Sequence, residues 1–96
     1  MTPIDLSGPF SIFEDDSYGE AREALCEAHG LDVQRFDAIT DGATWALARD
    51  PLSWEQITDD LYAIAIRGGG VHPDFVIVAA VDMSSGTATL KSIAEA

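Results

Sequence analysis

The longest apolar run in the chain, Phe75–Val81, constrains the fold more than any other feature. It is far shorter than the ~20 residues that a membrane-spanning helix needs, and it suits a single β-strand. Because both faces of the run are apolar, we expect a central strand of a sheet over Phe75–Asp82. Residues 84–86 predict a turn, and the alternating character of Thr87–Ile93 predicts a second strand that returns as a hairpin.

A first helix is predicted to begin at Ser17 and to end at Gly30. Ser17 and Glu20 match a capping box, in which each side chain satisfies an otherwise unpaired backbone amide. Gly30 suits the left-handed position that follows a helix. One face of this helix is apolar, and another face carries Glu20, Glu23 and Glu27 at the spacing i, i+3, i+7.

The dipeptide Asp41-Gly42 lies between two strand-like runs, Val33–Ile39 and Ala43–Arg49. Asp-Gly in this position is a strong signal for a two-residue hairpin turn. We therefore predict a first hairpin, with Trp45 on the buried side of its second strand.

A second helix is predicted to begin at Ser53, which forms a capping box with Gln56. A buried stripe is expected at i, i+4, i+7 and i+8, and an acidic outer face on the same helix. The stripe consists of Ile57, Leu61, Ile64 and Ala65, and the outer face of Glu55, Asp59 and Asp60. Trp54, at the first helical position, is expected to be partly exposed and to be available for a contact. Gly68, Gly69 and Gly70 are expected to end the helix.

These elements predict an α+β fold made of two α-β-β units. Their natural arrangement is a four-stranded, mostly antiparallel sheet with both helices on one face. We expect one domain over residues 1–96, in which residues 1–13 form an irregular N-terminal arm or an edge strand.

The charge of the chain limits its partners. Seventeen acidic residues stand against five basic ones, for a formal net charge of −12, and most of the acidic residues fall within residues 14–60. This imbalance disfavours direct binding to nucleic acid or to an anionic membrane. The hydrophobic fraction of 47% is that of a folded chain and argues against disorder. The single cysteine, Cys26, and the lack of a signal peptide lead us to expect a cytoplasmic protein.

The residues that could carry chemistry predict no enzyme, cofactor or metal site. The glycines of Arg67-Gly68-Gly69-Gly70 follow a helix, whereas a phosphate loop precedes one. His29 and His72 lack the further ligands that zinc requires. The glutamates near Cys26 disfavour a reactive thiolate. The acidic pairs Asp15-Asp16 and Asp59-Asp60 lack the spacing of a calcium loop.

The acidic residues instead predict a protein-binding surface. Carboxylates that recur every ~5–6 Å along a helix can pair with the lysines and arginines of a basic groove, as phosphates do. The expected contact residues are Glu20, Glu23, Glu27, Glu55, Asp59, Asp60 and Trp54. In its overall profile, small, acidic and free of catalytic motifs, the chain resembles the anti-CRISPR proteins of phages, several of which are acidic DNA mimics.

That resemblance implies an inhibitor of a basic, nucleic-acid-binding protein or nuclease. Immunity proteins that neutralise nuclease toxins share the same profile. Two alternatives depend less on the charge. The chain could be a structural or accessory module that uses a sheet edge and its N-terminal arm, and the acidic residues could serve only solubility.

Overall fold

The computed structural model describes residues 8–96, which form an α+β fold with two helices and a five-stranded mixed sheet. The strands are β1 (Ser11–Glu14), β2 (Glu55–Gln56), β3 (Leu61–Ile66), β4 (Phe75–Asp82) and β5 (Thr87–Glu95). The helices are α1 (Asp16–His29) and α2 (Val33–Arg49), and a short 3-10 turn covers Pro51–Ser53. The α+β class is therefore confirmed, whereas the strand number and the order of elements differ from the two predicted α-β-β units. Residues 1–7 of the predicted N-terminal arm lie outside the described residues, and its last part is the edge strand β1.

The strand order in the sheet is β1-β5-β4-β3-β2. The pairs from β2 to β5 are antiparallel, and β1 pairs with β5 in parallel. The strand predicted to be central, β4, lies between β3 and β5, and its hairpin with β5 is confirmed. A β-bulge at Lys91 shifts the register, so that Val78 pairs with Ser92 and Ala79 pairs with Leu90.

The core lies on one face of this sheet. Phe75, Ile77 and Ala79 of β4 are fully buried there. Tyr18 of α1 and the α2 side chains Phe36 and Leu47 belong to the same cluster. Because both helices contribute to one core cluster, they cover the same face of the sheet, although the second of them, α2, is not the helix that the sequence predicted.

The other face of the sheet, here called the open face, is not covered by a helix of the described residues. Its central row is Val76, Val78 and Ala80 of β4, which alternate with the fully buried residues and are half-buried. The strand registers place the following residues on the same face: Ser11, Phe13, Leu61, Ala63, Ala65, Thr87, Thr89, Ser92 and Ala94.

Helix α1 begins at Asp16, one residue earlier than predicted. Its N-cap is Asp15, whose carboxylate accepts a hydrogen bond from the backbone N–H of Asp16 at 3.0 Å. The predicted capping box of Ser17 and Glu20 is wrong, because the Ser17 hydroxyl donates to the carbonyl of Lys91 at 2.7 Å and so joins α1 to β5. The predicted end of the helix is confirmed, since Gly30 adopts a φ of 62°.

The first predicted hairpin is wrong, because Val33–Arg49 is one continuous helix, α2. Asp32 caps it by accepting a hydrogen bond from the Arg35 N–H at 2.7 Å. Phe36, Thr40 and Leu47 are buried on a single side with the period of a helix, and this periodicity outweighs the turn preference of Asp-Gly. Gly42 lies inside the helix.

The second predicted helix is also wrong, because the chain forms the hairpin β2–β3 after the 3-10 turn. Tyr62 is 4% exposed and Ile64 packs against the core, so the buried residues of β3 alternate with a period of two. Glu55 lies on β2, and Asp59 and Asp60 lie in the loop that precedes β3, so no helical face joins them.

Two glycine substitutions test the assigned helices, since Gly42 lies inside α2 and Gly30 ends α1. We expect Gly42→Ala to stabilise the protein by about 0.5–1 kcal/mol, because an added Cβ meets no atom within 4 Å and alanine is the better helix former. Gly30→Ala should destabilise the protein by about 1–2 kcal/mol, because its φ of 62° disfavours a side chain. Denaturant unfolding measures both effects. A loss of stability in Gly42→Ala would instead support a hairpin turn at this position.

Candidate functional site

The outer side of α1 carries four exposed carboxylates in one line, here called the acidic stripe. They are Asp16, Glu20, Glu23 and Glu27. Their spacing of i, i+4, i+7 and i+11 places them on one side of the helix, and the stripe extends for about 16 Å along the helix axis. The predicted row of Glu20, Glu23 and Glu27 is thus lengthened by one turn, because the helix begins at Asp16.

No carboxylate of the acidic stripe has a basic nitrogen within 4 Å among residues 8–96. The basic residues near α1 have other partners. Arg22 Nη1 lies 2.7 Å from Glu14 Oε2, and Lys91 Nζ lies 3.0 Å from Asp15 Oδ2. The local cations therefore stabilise the start of α1 and form no ion pair with the acidic stripe.

The first half of the stripe borders a shallow acidic groove. The groove is lined by Glu14, Asp15, Asp16, Gly19, Glu20, Arg22 and Glu23. Gly19 leaves its floor open, since an added Cβ would meet only the end of the Arg22 side chain, at 3.9 Å. A basic side chain of a partner could enter this groove and meet carboxylates on both sides.

The charges around the groove affect one another. The hydrogen bond from Lys91, supported by that from Ser17, holds the pKa of Asp15 below its ordinary value. Burial alone would lower the pKa of Arg22, but the hydrogen bond with Glu14 and the nearby negative charges together outweigh that effect and raise the pKa. The groove therefore holds Arg22 as a permanent cation between carboxylates.

Helix α2 adds negative charge beside α1. Asp37 and Asp41 are exposed one turn apart on α2. Burial raises the pKa of Tyr18 above its ordinary value, and the charges of Glu14, Asp37 and Asp41 add to the increase. Asp37 and Asp41 therefore lie close enough to α1 to add to its negative potential, on the side of Tyr18, whereas the acidic stripe lies on the opposite side of the helix.

The second predicted cluster is remote from this surface. Glu55 lies on the edge strand β2, whereas α1 packs against β5, and β4 and β3 separate the two. Asp60 accepts a hydrogen bond from the Thr58 hydroxyl at 3.2 Å within the β2–β3 loop. The structure therefore does not bring the two predicted clusters together.

The two tryptophans have exchanged their predicted environments. Trp54 is 3% exposed, and its indole N–H donates to the carbonyl of Ala43 at 3.0 Å. Its predicted exposure is wrong, and the expected contact role loses its basis. Trp45 is 51% exposed on α2, and the Arg49 guanidinium lies 3.5 Å from the centre of its ring. Sequence reasoning missed Trp45 as a surface residue because it assigned α2 to a strand.

The residues with potential chemistry have structural contacts. Burial raises the pKa of the Cys26 thiol, which disfavours the thiolate. His29 Nε2 lies 3.3 Å from Glu95 Oε2, and the ring of His72 stacks on Phe75 at 5.7 Å. Asp74 accepts the Gly68 N–H at 2.7 Å and fixes the glycine loop. Within residues 8–96, the His, Cys, Asp and Glu side chains form no group of three that could hold a metal ion.

Comparison with models of protein families, with curated proteins and with solved structures gave no match for this chain. Over the described part of the chain, neither helix has the length and hydropathy needed to cross a bilayer.

Matched tryptophan substitutions test the exchanged environments. Trp54→Phe should destabilise the protein by about 1–3 kcal/mol, because it removes buried volume and the indole N–H that donates to the Ala43 carbonyl. Trp45→Phe should cost under about 1 kcal/mol, mainly through a weaker interaction with Arg49. Equal costs in chemical denaturation would contradict the burial assigned to the two rings.

The stability contributed by Asp15 should depend on pH. Its pKa is lowered on folding, so the contribution is present above the ordinary value of 3.8 and is lost as the pH falls through the folded value. Asp15→Asn keeps a good N-cap but removes the charge that pairs with Lys91. We expect this variant to unfold at a lower midpoint than the wild type at pH 7, and the difference to vanish near about pH 2.

Glu23→Gln is the control for this experiment, because it removes the same charge from the same helix without removing an ion pair. It should not reproduce the loss of stability at pH 7. If the difference in unfolding midpoint between Asp15→Asn and the wild type stayed constant down to low pH, the ion pair with Lys91 would not contribute to the stability of the protein.

Proposed function

We propose that this protein is an acidic inhibitor that binds a basic, nucleic-acid-binding protein surface through the acidic stripe of α1. Asp37 and Asp41 of α2 add to the negative potential of α1. The stripe occupies positions that the phosphates of a nucleic acid would take in the partner's groove. We place this activity in the cytoplasm and assign no catalytic step to the protein.

The observation that carries the proposal is the line of four exposed carboxylates without a basic neighbour within 4 Å among residues 8–96. Over the ~16 Å of the stripe, one strand of B-DNA would present about five phosphates. The carboxylates of the stripe therefore approach the charge density of a nucleic acid backbone. A target that binds DNA through lysines and arginines can pair with them in the same way.

Two kinds of target fit this surface. One is a nucleic-acid-binding complex inhibited by a DNA mimic of the anti-CRISPR kind, and the other is a nuclease toxin neutralised by its immunity protein. Both require the partner's basic groove to be blocked. They differ in whether the captured protein cleaves nucleic acid by itself.

Charge reversal at matched positions tests the proposal. The variant Glu20→Lys/Glu23→Lys/Glu27→Lys reverses the stripe. The control Glu55→Lys/Asp59→Lys/Asp60→Lys makes the same change in net charge on the remote hairpin β2–β3. The wild-type protein is first used to capture its partner from a lysate of its native host at low salt, and affinities are then measured with the purified partner.

We expect the stripe variant to lose about tenfold or more in affinity and the hairpin control to lose much less. The wild-type association rate should fall steeply with salt while dissociation changes little, and duplex DNA should compete for the partner. Equal losses of affinity in both variants would show that the acidic stripe contributes only through the net charge of the protein. Unchanged binding in both would make the acidic face a solubility device, as expected for an accessory module.

A further inference from the structure

The open face of the sheet is almost free of charge. Its central residues are Val76, Val78 and Ala80, and the neighbouring strands contribute alanine, leucine, threonine, serine and phenylalanine. Among residues 8–96, two acidic residues lie on this face, and both are at its perimeter: Glu55 is on the edge strand β2 and Asp82 ends β4. Lys91 lies in the bulge of β5 next to Ser92, and its charge is paired with Asp15 at 3.0 Å. An apolar centre inside a polar rim is the usual anatomy of a protein interface.

The side chains of the open face are small enough for a second sheet to approach. Ala63 and Ser92 flank Val78 in register, and Ala80 lies between Leu61 and Thr89. Sheets with such surfaces pack face to face at about 10 Å, with their strands nearly aligned. This geometry favours a β-sheet as the occupant over a helix.

We propose that a second copy of this chain occupies the open face, so that two sheets form a sandwich with the helices on the outside. The charge distribution argues for this occupant. Each copy carries a net charge of −12, and the acidic residues of the open face lie only at its perimeter, so two such chains can meet there without apposing carboxylates at the centre. A basic partner would form no ion pairs at the centre of the open face, because the acidic residues of this face lie at its perimeter.

The sandwich also keeps the acidic stripes apart. Each stripe lies on the side of α1 away from the sheet, so two sheets about 10 Å apart and two helix layers separate the stripes. That separation exceeds the Debye length of about 8 Å at physiological ionic strength. Repulsion between the stripes is therefore largely screened at physiological ionic strength. At lower salt the screening length increases, so the repulsion between the two negative copies should grow and oppose dimerisation.

The size of the open face predicts a weak dimer. The three long strands are about 20–30 Å long and lie about 4.8 Å apart, and two short edge strands flank them. The open face of each copy therefore has an area of roughly 500 Å². The total of about 1,000 Å² is at the lower limit for a specific interface. We expect a two-fold symmetric dimer with a Kd on the order of tens of micromolar.

Sedimentation of the full chain up to about 1 mM tests this proposal, at about 0.05 and 0.5 M NaCl. Dimerisation should tighten several-fold at high salt, which is opposite to the salt dependence of binding to a basic partner. Ser92→Glu and Val78→Glu place a charge at the centre of the open face and should each weaken the dimer by about tenfold or more. Ser92 is exposed, so its variant tests the face even if Val78→Glu fails to fold.

Ala38→Glu is the matched control, since it adds the same charge at an exposed position of α2 and should change the Kd by less than about twofold. Circular dichroism confirms that each variant is folded. A chain that stays monomeric at every concentration and salt would overturn the proposal and leave the face to a different protein. A dimer that Ser92→Glu does not weaken, or that loosens with salt, would also overturn it. Neither outcome bears on the acidic stripe, which the charge-reversal experiment tests separately.

Discussion

The register of the three long strands is the constraint on which the rest of the fold depends. β4 is apolar on both sides, so its own sequence does not decide which side faces the helices. Its neighbours decide. Tyr62 and Ile64 on β3, and Leu90 on β5, put their large side chains beside Ile77 and Ala79, whereas the opposite side receives Ala63 and Ser92. Only the first side offers enough apolar area to bind two helices, and burying that area drives the assembly of the core.

A sheet covered on one side also separates the charges. The helices are amphipathic, and their inward faces are occupied by residues such as Tyr18 and Phe36. The acidic residues must therefore lie on the outward side of the helix layer. The centre of the open face carries valine, alanine and serine, because the same strands contribute most of their large residues to the core. The negative surface and the uncharged surface are thus consequences of one packing choice, and they lie on opposite sides of the molecule.

The sequence predicts those elements whose local signals agree with one another. α1 ends in a glycine that adopts the left-handed conformation, and β4 and β5 are an apolar run and an alternating run joined by turn residues. The signals conflict in α2, where Asp41-Gly42 indicates a turn but Phe36, Thr40 and Leu47 have helical spacing. They conflict again over residues 53–66, where a capping-box pattern precedes Tyr62 and Ile64, which alternate as in a strand. In both places packing against β4 and the core decided the outcome, and that information is not local.

Part of the candidate site could be predicted for the same reason. Glu20, Glu23 and Glu27 lie on a helix that local signals identify, whereas Asp37, Asp41 and Trp45 depended on the misassigned α2. The alignment of the stripe has a cost, since like charges three or four residues apart destabilise a helix by about 0.2–0.5 kcal/mol for each pair. Glu27 lies near the C-terminus of α1, where the helix dipole also disfavours an anion. Solubility requires net charge but not this alignment, and scattered carboxylates would supply it with fewer like-charged neighbours. A helix that keeps a row of carboxylates with no basic partner among residues 8–96, despite this cost, fits a surface selected for binding better than one selected for solubility.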